Sequence, residues 1–108
     1  MSDTHMFQAA ELAAQPNNPP MALAFYIRGS DWADAGDLEA AIADYNAALL
    51  INPMLAAALA DRGVAWARMG DYDRAIADYD AALRIIPRDA KTRKNRAIAL
   101  DRKHQSAG

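Results

Sequence analysis

Residues 36–53 read GDLEAAIADYNAALLINP, and residues 70–87 read GDYDRAIADYDAALRIIP. Shifting the chain by 34 residues aligns 22–55 with 56–89, and eighteen of the 34 pairs are identical. Gly29/Gly63, Trp32/Trp66, Gly36/Gly70, Asp37/Asp71, Tyr45/Tyr79 and Pro53/Pro87 are among them. A constant step of this size marks a solenoid of stacked supersecondary units, each hiding its apolar face against its neighbours.

Each unit reads as a pair of helices. The first helix covers 22–35 and again 56–69; Gly-Asp at 36–37 and 70–71 ends it. Glycine accepts the left-handed conformation that closes a helix, and aspartate caps the helix that follows. The second helix runs through 38–51 and 72–85, and Pro53 and Pro87 prevent its continuation. Ala41, Ile42, Tyr45, Ala48 and Leu49 recur at helical spacing, as do Ala75, Ile76, Tyr79, Ala82 and Leu83, so these form the core. Ala90, Arg96, Ala99 and Arg102 keep the phase of Ala56, Arg62, Ala65 and Arg68. One last helix over 90–103 is therefore expected, capped by Asp89, with no partner helix behind it. The chain divides into an N-terminal segment (1–21), two full units (22–55 and 56–89) and a capping helix with tail (90–108). Residues 4–14 could form a short helix before the first unit, followed by a Pro-rich connector.

Composition agrees with an all-α fold. Hydrophobic residues reach 53%, alanine dominates them, and aromatics are only 7%; small side chains favour helix and close helix approach. There is no cysteine, so disulfides and thiolate metal sites are ruled out. No stretch nears the roughly 18 apolar residues of a membrane span. The first residues lack the basic start and apolar middle of a signal peptide. His5-Met6 resembles a cloning junction, in which case the native start, and any targeting signal it carried, would be missing. No residue specifies a compartment, and the cytoplasm is the default expectation.

The repeat resembles the tetratricopeptide repeat (TPR). That family favours a small residue, an aromatic, alanine, an aromatic, alanine and proline at set places. These are Gly29, Trp32, Ala41, Tyr45, Ala48 and Pro53 in the first unit, and Gly63, Trp66, Ala75, Tyr79, Ala82 and Pro87 in the second. A further aromatic place holds Phe25 and then Leu59. The resemblance implies a curved array of helix hairpins whose first helices line a concave, peptide-binding groove. By that resemblance the lining is Leu23, Tyr26, Ser30, Ala33 and Asp34, then Ala57, Ala60, Val64, Ala67 and Arg68, then Lys91, Lys94, Ile98, Asp101 and Arg102. It runs from apolar and aromatic to basic, which suits a partner segment with apolar anchors and acidic groups at one end. The clamp with which some relatives grip the C-terminal carboxylate of heat-shock chaperones does not carry over. Its places hold Tyr26, Ser30, Asp61, Lys91 and Asn95, of which only Lys91 agrees.

Chemistry is otherwise sparse. The two histidines, His5 and His104, lie near the termini. No serine has a base at hand, and no Gly-rich phosphate loop is present. Asp71, Asp73, Asp78 and Asp80 read as helix-start or surface acids, because the glycine and closing glutamate of a calcium loop are missing. No cofactor is expected, and the chain does not read as an enzyme.

Charge is uneven. Residues 1–83 carry four basic and twelve acidic side chains, whereas 84–108 carry eight basic and two acidic. The basic end lacks aromatics for base stacking and the rest would repel a polyanion, so nucleic acid is disfavoured. Ile27, Leu50, Met54 and Leu55 correspond to Asp61, Arg84, Arg88 and Asp89, leaving the first unit greasier than the second. Self-association is therefore the competing reading, through the first unit or by head-to-tail stacking of acidic front on basic tail. An excised piece of a longer array would show the same apolar end.

Overall fold

A computed structural model describes residues 19–107. Among them are five α-helices: α1 (Pro19–Asp34), α2 (Leu38–Ile51), α3 (Ala56–Arg68), α4 (Tyr72–Ile85) and α5 (Ala90–Ala107). No strand occurs among the described residues. The short helix expected over 4–14 lies outside them. Helices α1 and α2 form one antiparallel hairpin, α3 and α4 a second, and α5 closes the stack against α4.

The turns inside the two hairpins are copies of one another. Gly36 and Gly70 adopt φ of 87° and 85°, the left-handed conformation that costs glycine little. Asp37 N–H donates to Trp32 O at 2.9 Å and Gly36 N–H to Ala33 O at 3.0 Å. Asp71 with Trp66 and Gly70 with Ala67 repeat both bonds at the same lengths. This six-to-one and five-to-two pair satisfies carbonyls that a helix end leaves open. Asp37 and Asp71 then accept from the backbone of Ala40 and Arg74, starting α2 and α4. Asp89 caps α5 through both the backbone and the hydroxyl of Thr92.

Packing follows the repeat too. Ala41, Ile42, Tyr45, Ala48, Leu49, Ala75, Tyr79 and Ala82 are buried. Ile76 and Leu83 stay half-buried, because only a single helix, α5, is stacked beyond α4. Tyr45 presses against Gly29 and Tyr79 against Gly63 so closely that a Cβ on either glycine would sit 2.9 or 2.6 Å from ring carbons. The two tryptophans share one backbone setting. They differ in cover, since the Arg74 guanidinium lies 4.9 Å above the Trp66 ring whereas Ala40 stands in its place beside Trp32.

Polar ties run through the same frame. Arg28 grips buried Asp44 with two bonds of 2.8 Å, and Arg62 grips buried Asp78 at 2.8 and 2.7 Å. Such two-pronged pairs are strong and directional. Arg62 also donates to Asn46 at 2.7 Å, and Arg96 to Asp80, linking each hairpin to the next helix. Asp71 pairs with Arg74 and Asp73 with Lys103, so all four acids singled out in the sequence have structural partners.

Gly63→Ala would force a methyl group into the Tyr79 ring. Overpacking of this kind costs about 1–3 kcal/mol, and urea unfolding followed by circular dichroism should show that loss. The acid side carries a second signature. The hydrogen bonds from Arg28 hold the Asp44 carboxyl below its ordinary range. A depressed folded value gives stability that is complete above about pH 4 and is lost as the pH falls further. Asp44→Asn should therefore flatten the acid limb of the stability–pH curve.

Candidate protein-interaction groove

Because each hairpin begins with an equivalent helix, α1, α3 and α5 stand side by side and form one wall. Two adjoining hollows open along it. The first, about 230 Å³, is lined by Ser30, Ala33, Asp34, Tyr45, Asp61, Val64, Ala65, Arg68 and Lys91. The second, about 150 Å³, is lined by Val64, Ala67, Arg68, Tyr72, Tyr79, Asn95, Ile98, Ala99 and Arg102. Val64 and Arg68 belong to both, so the hollows form a continuous trough centred on α3.

Of the residues assigned to the groove from sequence, Ser30, Asp34, Val64, Arg68, Lys91 and Ile98 line it, together with Ala33, Ala67 and Arg102. Leu23, Ala57, Lys94 and Asp101 are exposed beside it, and Ala60 packs against the core. Tyr26, assigned to the groove from sequence, lines neither of these two hollows. Its hydroxyl donates to Asp61 Oδ2 at 2.6 Å, and its ring lies 5.9 Å from that of Tyr45. The reason is local: Asp61 replaces an isoleucine of the first unit and puts a carboxylate within reach of α1. Arg68 is likewise engaged, donating to Ala33 O at 3.1 Å and tying the end of α1 to α3.

Sequence reasoning missed the part played by Tyr45 and Tyr79, which it placed wholly in the core. Both rings are buried, yet each borders a hollow, and the Tyr45 hydroxyl meets Ser30 Oγ at 3.2 Å. The signal was the choice of tyrosine over phenylalanine, since a buried phenol needs a polar outlet. Lys91, Lys94 and Arg102 form no ion pair among the described residues, which leaves the α5 end of the trough positive.

Burial, reinforced by the Asp61 hydrogen bond, pushes the Tyr26 hydroxyl up to about 12. Burial, then the Asp78 charge, raises Tyr79 to about 12. Among the described residues no group of three or more His, Cys, Asp or Glu converges to hold a metal, and no helix is long and apolar enough to cross a membrane.

The exposed apolar residues do not act alike. Leu50 and Met54 are 81% and 65% exposed, and Ile27 is 52% exposed. Leu55, grouped with them in the sequence, turns inward and is half-buried against the Ala48–Leu59 cluster.

Comparison with known proteins agrees with this architecture. A tetratricopeptide-repeat model matches residues 56–89, and a second TPR-repeat model matches 29–70, together more than half of the chain. The crystal structure of MamA protein is similar, with a TM-score of 0.75 and 29% identity over 77% of this chain and 45% of the MamA chain. The present chain thus spans less than half of that protein's length. No curated protein matches. The chain belongs to the tetratricopeptide-repeat family, whose helical arrays are protein-interaction modules.

An alkaline titration followed by phenolate absorbance should show Tyr26 and Tyr79 holding their protons to about 12. Asp61→Asn should lower the Tyr26 step, which loses both a hydrogen bond and a charge, more than the Tyr79 step, which loses only the charge. A raised folded value also means that the stability from these hydroxyls is complete below about pH 10 and lost as the pH climbs further.

Proposed function

We propose that the trough holds a segment of a partner protein, making the chain a non-enzymatic adaptor. The observation that carries this reading is the pair of hollows joined at Val64 and ending in cations that form no ion pair among the described residues. Val64, Ala67 and Ile98 offer an apolar seat, while Lys91 and Arg102, with Lys94 beside them, draw the acidic end of the ligand. Binding rests on shape and apolar burial, and charge sets the direction in which the segment lies. The scarcity of proton-transfer groups supports a role without catalysis, since His104 lies exposed near the end of α5 and His5 falls outside the described residues.

Peptide-display selection on the immobilised chain should enrich sequences in which an apolar residue is flanked by acids. Val64→Arg should weaken capture of those peptides by about tenfold or more while the thermal unfolding midpoint holds. Equal capture by the variant would remove the trough from consideration.

Self-assembly is a second reading, favoured by the exposure of Leu50 and Met54. Contiguous exposed apolar surface is what marks a contact site, and Leu50 and Met54 lie four residues apart at the end of the first hairpin. The second hairpin carries arginine at both places, so Leu50→Arg with Met54→Arg copies a surface the fold already tolerates. Light scattering should show this double variant as a monomer where the parent associates. A monomeric parent at high micromolar concentration would end the idea.

A further inference from the structure

Repetition supplies an internal comparison for every helix face. On α3, Ala58 and Ala65 are buried where α2 lies across them. On α5, Thr92 and Ala99 are buried in the same way beneath α4. The same places on α1 are Ala24 and Asp31, and both are exposed, with Ile27 exposed between them.

The arginines make the difference specific. Arg62 uses Nε and Nη2 on Asp78 of its own hairpin, and Nη1 on Asn46 of the preceding helix. Arg96, which has no partner helix of its own, meets Asp80 of the helix before it through Nε. Arg28 uses Nε and Nη2 on Asp44, but its Nη1 has no acceptor among the described residues. Its side chain is 62% exposed, against 23% for Arg62. Guanidinium is a planar fork of five donors, so the Nη1 donors left open on Arg28 define where an acceptor belongs.

We propose that this face of α1 is a second docking surface, distinct from the trough, for an amphipathic helix of a partner protein. That helix presents a carboxylate or amide oxygen to Arg28, small side chains over Ala24, an apolar side chain on Ile27 and a basic group opposite Asp31. The surface continues a series of two interfaces already formed within the chain, α2 on α3 and α4 on α5, in each of which the arginine of the covered helix meets a side-chain oxygen of the covering one: Arg62 Nη1 with Asn46 and Arg96 Nε with Asp80. A second copy of the chain is poorly suited to supply the helix. The stacking faces of α2 and α4 are covered by α3 and α5, and Asn46 and Asp80 are engaged. The partner is thus a different helix with the chemistry of α2.

The absence of cysteine permits a clean test, because Ile27→Cys gives the full chain a single thiol. The probe is a synthetic peptide of residues 37–52, the segment that covers the equivalent face of α3. Thiol labelling of the variant alone should be as fast as that of Met54→Cys and independent of protein concentration. Saturating peptide should slow it by about tenfold, and the peptide carrying Asn46→Leu should need about tenfold more to protect equally. Circular dichroism verifies that both variants fold. Slow labelling without peptide at every concentration would overturn the proposal by showing that the chain covers its own face. Slowing that grows with concentration would overturn it in favour of a second copy. Peptide binding, read by anisotropy, that leaves labelling unchanged would place the peptide elsewhere and overturn it as well.

Discussion

A tyrosine ring seated on a glycine is the contact on which both hairpins depend. Tyr45 against Gly29 and Tyr79 against Gly63 set how near the two helices of a hairpin come. That closeness brings Arg28 within two-pronged reach of Asp44, and Arg62 of Asp78, one residue along each helix. It also fixes the outer end of each ring at the trough, where Tyr45 meets Ser30. Core packing, ion pairing and the shape of the groove therefore share one origin. A larger residue at either glycine disturbs all three.

Contacts between hairpins are of another kind. Small apolar side chains, such as Ala48, Ala58 and Ala82, let the units settle closely, while single polar links give them register. The Tyr26–Asp61 bond, the Arg62–Asn46 bond and the Arg68–Ala33 bond all cross from the first hairpin to the second. None has a counterpart on the other side of α1 among the described residues. The trough and the exposed face of α1 thus have different characters: one is a concavity built from three helices, the other the flank of a single helix.

The fold was legible because each local rule was written twice. Helix ends at Gly36 and Gly70, caps at Asp37, Asp71 and Asp89, and an alanine-and-tyrosine spine all pointed to one architecture. The groove was legible only in part. Its lining at Ser30, Val64, Arg68 and Ile98 came from the resemblance to the family, which implies that those places in the repeat face the concave side. What position cannot reveal is whether a polar group has found an internal partner. Tyr26 reads as a free aromatic until Asp61 is seen across from it, and Leu55 reads as surface until its inward turn is seen. The arginine ladder was visible as a phase, but which acids it met needed three dimensions.

Leu55 also decides how the two hairpins are joined. It stands at the N-cap of α3, where the third unit has Asp89, and provides no side-chain hydrogen bond to the helix start. Its side chain instead plugs into the apolar cluster between the hairpins, while Asn52 braces the loop by accepting from Met54 N–H. Swinging one hairpin away from the other would have to draw this plug into water. The joint is consequently a latch rather than a swivel, and the width of the trough is held shut or open together with the seam behind it.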